Sequence, residues 1–314
     1  MLIYEFKLKS KGKMTTIPDS QRLFGFLMNN TKKYFENEEI SEYTRAVLLK
    51  KQKCMVSNLM PDGYYPFPKE YIIHKFSVAK EIYKKIKNFD FIKKEDLVNL
   101  IRKNKKLSID DLNKINFLKT NLEFIQKFRL ESQVRNLPGL PNVAYSLPII
   151  SLFNGENEQK NFSFFVKIEE NSLLQNSIEE MINDIKNGEV ISYLGAKSSS
   201  GLNIFKVYEI KKMAKKISSE NSRAYLNLGM LLPEFSKINS ENSFFDLHTS
   251  DRKPYDIENN VEKAICFISS GSIISKEDNA IDEFELSKSI HNKYNLLYKD
   301  AIIFGNSYLE EMEV

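Results

Sequence analysis

The sequence predicts an α+β protein rich in antiparallel strands, and three observations carry that prediction. Leu2, Tyr4, Phe6 and Leu8 recur at every second residue with Glu5 and Lys7 between them, the alternation of a half-buried strand. Ile178, Met181, Ile182 and Ile185 recur at i, i+3, i+4 and i+7, the stripe of an amphipathic helix. Apolar runs at 161–168 and 204–210 flank that helix. Strand, helix, loop, strand is half of a ferredoxin-like unit, and the chain has room for two.

In chain order, the strand at 2–8 runs into a loop marked by Gly12 and Pro18. Asp19 and Ser20 are good N-caps for a helix carrying Leu23, Phe24, Leu27 and Met28 on one face. Three prolines exclude a helix over 61–70. Residues 78–130 are lysine-rich and helically patterned, with Leu112, Ile115, Leu118 and Leu122 in helical spacing. Their lysines fit a solvated face, a protein partner or RNA. Residues 136–148 form a proline- and glycine-punctuated excursion, expected to protrude as a hairpin or loop. Gly188 ends the helix at 178–185. Residues 211–223 read as a connector between halves. Beyond it, strands are expected at 224–232, 263–269 and 301–304, with a polar loop at 239–260.

Length and composition bound the function. At roughly 150 residues per domain, 314 residues suggest two domains or one large one. A hydrophobic fraction of 42% excludes wholesale disorder. Two cysteines exclude a disulfide-stapled secreted fold and fit a reducing cytoplasm. No run approaches the eighteen or so apolar residues of a membrane helix, and the first eight residues are too short for a signal peptide. Lys and Arg number 46 against 42 Asp and Glu, a net charge of +4. That total excludes neither nucleic acid nor an acidic partner.

Catalytic and metal chemistry find little support. Cys54 and Cys266 have no second ligand at metal-binding spacing, and His74, His248 and His291 are scattered. No nucleophile elbow is present. No cofactor and no metal are expected. The informative stretch is Gly195-Ala196-Lys197-Ser198-Ser199-Ser200-Gly201-Leu202-Asn203. Its glycines permit a tight turn and close approach to a ligand, and successive N–H groups make an anion-binding concavity. Three hydroxyls and an ammonium add donors for phosphate oxygens. Asn203 tolerates a left-handed backbone. The lysine precedes the serines and no helix follows, so this is not a Walker loop. A flexible connection is the alternative reading.

Here the chain resembles a known family. The run at 194–207, LGAKSSSGLNIFKV, is similar to the glycine-rich loop of the RAMP superfamily of CRISPR RNA-binding proteins. Within it, the chain most resembles the fourth Csm subunits of type III-A effector complexes. Gly195, Lys197, Ser199, Ser200, Gly201 and Phe205 match a loop of the form G-G-K-R-S-S-G-x-G-x-F, whereas Ala196, Ser198 and Asn203 depart from it. SQRLFGFLMN at 20–29 resembles the start of the family's first helix, with Gln21 where an aspartate is usual. PFPKEY at 66–71, KKIKNFDFI at 84–92 and SSGSIIS at 269–275 resemble further family segments in order. QVRNLPGLPNVAY at 133–145 occupies the place of the thumb hairpin.

The resemblance implies two RRM-like (ferredoxin-like) domains, 1–210 with a helical insertion and thumb, and 211–314. It implies a non-catalytic subunit that binds the 5′ handle of a CRISPR RNA (crRNA). It also implies docking to the large polymerase-type Csm subunit and to the backbone RAMP subunit, in antiviral defence. The residues it assigns to RNA are Gly195 to Gly201 of the loop, Gln133, Arg135 and Asn136 of the thumb, Ser20 and Arg22 of the first helix, and Ser270, Gly271 and Ser272 of the late turn. Phosphate contacts would set register, and Gln133, Arg135 and Asn136 have the groups to read bases. Leu137 or Leu140 would wedge against a base or bury against a partner protein. The alternative is a metal-independent endoribonuclease that processes precursor crRNA, with His74 as general acid or base.

Overall fold

The structure is a computed structural model and describes residues 1–103, 106–129, 143–154, 157–188, 190–195, 198–214, 223–250, 265–292 and 301–312. The alternating segment forms β1 (Leu2–Ser10). Asp19 caps α1 (Ser20–Thr31), its carboxylate accepting the Arg22 N–H at 2.8 Å. α2 (Asn37–Leu48) opens on a capping box between Glu36 and Glu39. The prolines then hold the chain in short strands: β2 (Cys54–Val56), β3 (Met60–Pro61) and β4 (Tyr64–Pro66).

A mixed segment follows, with α3 (Lys69–Phe76), α4 (Lys80–Ile86), β5 (Phe91–Lys93), α5 (Lys94–Arg102) and α6 (Ile109–Asn113). Two long strands, β6 (Phe117–Arg129) and β7 (Val143–Asn154), pair antiparallel, and β8 (Asn157–Glu158) adds to β7. β9 (Asn161–Ile168), α7 (Leu173–Asn187), β10 (Val190–Tyr193) and β11 (Ile204–Met213) complete this half. The remainder holds β12 (Ala224–Asn227), β13 (Leu247–Ser250), β14 (Ile265–Ile268), β15 (Ile273–Ser275), β16 (Ile290–His291), β17 (Ile302–Ile303) and β18 (Leu309–Met312).

The main sheet runs β10-β11-β1-β9-β2, with β3 also on β9. Taking β10–β11 as one hairpin, the chain visits it as β-α-β-β-α-β, with its first and third strands in the middle. One residue in two on each strand points to the helices. Tyr4, Phe6 and Leu8 lie opposite Val166, Phe164 and Phe162 in register. All are buried in one cluster with Leu23, Leu27, Ile178 and Met181. Each such side chain stabilises the fold by about 1.5–3 kcal/mol. The chain between β2 and β9 is a long insertion whose own sheet runs β4-β5-β6-β7-β8.

The second half is built differently. A three-stranded sheet, β15-β12-β18, stands beside the pairs β13-β14 and β16-β17. The described residues after β11 include no α-helix. The halves share a core. Phe304 stacks on Phe24 at 4.2 Å, and Leu226, Leu228 and Tyr308 belong to the same cluster as Phe6.

Several expectations are corrected. Leu118 and Leu122 lie on a strand, because a four-residue spacing satisfies a period of two as well as one of 3.6. β11 runs to Met213, into the expected connector, because Lys211 to Met213 pair with Glu5 to Ile3. The expected loop at 239–260 contains β13, paired to β14. The strand expected over 224–232 stops at Asn227, because Gly229 turns the chain against Val56 and Ser307. Of the excursion at 136–148, residues 143–148 form the start of β7, and 136–142 lie outside the described residues.

Candidate nucleic-acid interface

The glycine-rich segment leaves β10 at the sheet edge and returns as β11. Ser198–Ser200 make a single 3-10 turn, closed by Gly201 N–H to the Ser198 carbonyl at 2.9 Å. Gly201 has φ +79° and Asn203 φ +55°, both left-handed. Asn203 is fully buried. Its N–H donates to the Lys13 carbonyl, and its own carbonyl accepts the Leu194 N–H. Its side chain accepts the Thr15 N–H at 2.9 Å and donates to Thr15 Oγ1 at 2.8 Å. The loop after β1 is therefore stitched to the loop before β11. A Cβ on Gly12 would stand 2.3 Å from the Gly201 carbonyl oxygen, and one on Gly195 2.7 Å from the Asn203 amide. Gly12 and Gly195 are required by that close approach.

Beside this stitched pair, α1 and the edge strand β10 enclose a cleft of about 530 Å³. Its walls include Arg22, Gly25, Asn29, Lys33, Ser192, Tyr193 and Gly195. Arg22, Phe26, Asn29 and Lys33 succeed one another at +4, +7 and +11, one face of α1 and its exit. The charged residues lining the cleft are Arg22 and Lys33, and no carboxylate lines it among the described residues. Arg22 Nη1 and Ser192 Oγ are shielded from solvent and make no hydrogen bond among the described residues. Lys9, Lys11 and Lys13 are exposed nearby, and Lys9 faces Lys206 across the β1–β11 ladder.

The structure thus brings Arg22 and Gly195 into one cleft, next to Ser198, Ser199, Ser200 and Gly201. It places Ser20 elsewhere. Ser20 is fully buried, its N–H donating to Asn58 Oδ1 and its Oγ accepting the Met230 N–H. Ser270, Gly271 and Ser272 line a different cleft of about 250 Å³, with Lys69, Asp90 and Asp246. Ala196, Lys197, Gln133, Arg135 and Asn136 lie outside the described residues. Sequence reasoning missed Asn29, Lys33, Ser192, Tyr193 and Thr15. The helical spacing of Arg22, Asn29 and Lys33 was a signal for the α1 wall, whereas β10 gave none.

Histidine does not enter this cleft. His74 lies on α3 with its ring 4.7 Å from that of Phe244. His248 and His291 sit on β13 and β16. Among the described residues no group of His, Cys, Asp or Glu is arranged to hold a metal ion. No helix there is long and apolar enough to cross a membrane.

The chain thus belongs to a definite structural class: a β-α-β-β-α-β sheet carrying a long insertion, with a strand-rich second half sharing its core. No protein-family model and no curated protein sequence matches it. Solved structures do. It superposes on a chain of the Csm3-Csm4 subcomplex in the type III-A CRISPR-Cas interference complex with a TM-score of 0.58 and 17% identity, covering 100% of both chains. It superposes on a chain of the Csm1-Csm4 cassette in complex with cA4 with a TM-score of 0.57 and 14% identity, covering 100% of this chain and 99% of that one. The same cassette in complex with AMPPNP gives 0.56 and 14% over the same spans. Csm4 is the component common to these assemblies, and the fold of this chain is the Csm4 fold.

Proposed function

We propose that this chain is a non-catalytic, crRNA-binding subunit of a type III-A CRISPR (Csm) interference complex. In this reading it works in the cytoplasm, holds the 5′ handle, and bridges the large polymerase-type subunit to the backbone subunits. Its partners would be the counterparts of Csm1 and Csm3, with which Csm4 shares the matched structures. Its two halves, 1–210 and 211–314, would be the family's two RRM-like domains, and β6–β7 the base of the thumb.

One observation carries the reading: Arg22 and Gly195, assigned to RNA on separate motifs, line a single cationic cleft beside the glycine-rich turn. A single-stranded RNA end needs phosphate contacts to set its register, and this corner offers backbone N–H groups, hydroxyls and cations together. Lys197 and Arg135 complete the proposed track. The nuclease alternative draws no support from His74, which packs on Phe244 away from the cleft.

The test is crRNA retention in complexes carrying Lys197→Ala together with Arg135→Ala. The handle is expected to lose protection, and each lost phosphate contact should flatten the salt dependence by about one ion. Equal protection with normal assembly would sink the site assignment. Incubating the pure chain with repeat RNA and EDTA addresses the alternative, since site-specific cleavage would make it an enzyme.

A further inference from the structure

We infer that Ser20 is a positioning residue: buried at the start of α1, it sets the late turn at 269–272 against that helix through the segment 227–230. The two surfaces assigned to RNA on separate motifs, the α1 cleft and the late turn, are thereby held in one fixed arrangement. This rests on the RNA-binding function proposed above and adds how its surfaces are aligned.

Ser20 has no face for a ligand. It is fully buried, and its N–H and its hydroxyl are both engaged inside the protein. The N–H donates to Asn58 Oδ1 at 2.8 Å, and Oγ accepts the Met230 N–H at 3.1 Å. Capping of α1 falls to Asp19, whose carboxylate takes the Arg22 N–H, so the neighbouring Ser20 hydroxyl is left to reach the second half. Two residues further along the helix stands Arg22, in the cationic cleft.

From Met230 the connection runs on to the late turn. Asn58 holds Ser20 with its side chain, and its N–H donates to the Leu228 carbonyl at 2.8 Å. Gly229 donates its N–H to Asn227 Oδ1. A Cβ on Gly229 would stand 3.2 Å from the Ser20 Cβ, 2.9 Å from the Val56 carbonyl oxygen and 2.7 Å from Ser307 Oγ, so only glycine lets the segment lie this close to α1. Asn227 then grips the turn: its N–H donates to the Ser272 carbonyl and its carbonyl accepts the Gly271 N–H, each at 2.8 Å. Its side-chain amide donates to the Ile268 and Ser269 carbonyls. Gly271, at φ +88°, packs on the Phe67 carbonyl, where a Cβ would come to 2.9 Å. Slipping any link strands a buried donor or acceptor, which makes every other register costly.

The full chain would be studied well below its melting temperature, by hydrogen exchange and by titration with single-stranded RNA carrying the 5′ repeat-derived end. Ser20→Ala removes the acceptor of the Met230 N–H. Exchange at 228–230 and 269–272 is expected to rise about tenfold, the loss of one buried hydrogen bond, and RNA binding to weaken several-fold. Asn58→Ala frees the Ser20 N–H from the other side and should reproduce both effects, which covers a Ser20 variant that fails to fold. Ser177→Ala is the control, because it breaks an equally buried hydroxyl pair, with Thr31 at the far end of α1, at 2.9 Å. It is expected to lower the melting temperature while leaving late-turn exchange and RNA binding as in wild type. Unchanged late-turn exchange in Ser20→Ala and Asn58→Ala overturns the inference. So do equal responses in Ser20→Ala and Ser177→Ala, since both then act through overall stability. Faster late-turn exchange with unchanged RNA binding overturns it too, because the serine then serves the fold alone. A wild-type chain that binds no RNA overturns the RNA-binding function itself, and with it this role.

Discussion

The Asn203 carboxamide closes a two-point clamp on Thr15, accepting its N–H at 2.9 Å and donating to its Oγ1 at 2.8 Å. Asn203 stands where the glycine-rich loop that this segment resembles carries glycine. It supplies the left-handed backbone that glycine would, and adds a side chain that fastens the glycine-rich loop to the loop after β1.

That double role inverts the usual order of substitutions. Asn203→Gly keeps the φ of +55° without strain and loses the clamp, at about 1–2 kcal/mol. Asn203→Ala loses the clamp and adds about 1–2 kcal/mol for a left-handed alanine. Chemical denaturation should rank wild type above Gly above Ala. An alanine variant as stable as the glycine variant would show that the backbone there relaxes.

How much of this was legible in the sequence depends on how local the determining physics is. β1, α1, β9 and α7 were legible because alternation, capping and 3.6-residue stripes act within one element. The left-handed Asn203 was legible from its residue type, but its grip on Thr15 was not, because the partners are 188 residues apart. Leu118 and Leu122 misled because their spacing serves a strand as well as a helix. The cleft needed three dimensions. Arg22 was marked by a motif and Gly195 by another, while Ser192 and Tyr193 belong to an edge strand whose neighbour, α1, is distant in sequence.

Gly12, packed against the turn at 198–201, and Gly25, on the open face of α1, should respond oppositely. Gly12→Ala drives a Cβ to within 2.3 Å of the Gly201 carbonyl, so the turn at 198–201 must move. A loss of about 1–3 kcal/mol is expected, typical of overpacking. Gly25→Ala meets open space on a helix and should gain about 0.5–1 kcal/mol. Melting curves for the pair decide it, and shifts of the same sign would refute the packing argument.

Asn227 ties the late turn to the shared core. Its Nδ2 donates to the carbonyls of Ile268 and Ser269, and its Oδ1 accepts from the Gly229 N–H and the Ser307 hydroxyl at 2.5 Å. The residue is fully buried. Asn227→Ala would strand several of these groups at about 1–3 kcal/mol each, so a loss of 3 kcal/mol or more is expected. Hydrogen exchange should rise first at 268–272. A variant within about 0.5 kcal/mol of wild type, the range of ordinary surface changes, would mean that water replaces the side chain at little cost.

The two cysteines should separate by reactivity and by pH. Cys54 lies at the start of β2, fully buried, whereas Cys266 on β14 is exposed. Burial pushes the Cys54 thiol up to about 12 from an ordinary 9.0, with contact to the Tyr43 hydroxyl pulling weakly the other way. The thiolate is the reactive form, so a native chain at pH 8 should take one equivalent of alkylating reagent, at Cys266. An unfolded chain loses the Cys54 proton near pH 9 while the native chain keeps it, so the native state binds more protons between about pH 9 and 12. Stability from this group is therefore complete below pH 9 and falls as pH rises through that window. Cys54→Ala removes the titrating group and should flatten the alkaline limb of the stability profile, although it costs packing at every pH. If wild type and Cys54→Ala lose stability in parallel above pH 9, the alkaline loss belongs to other groups and the thiol is better solvated than its burial implies.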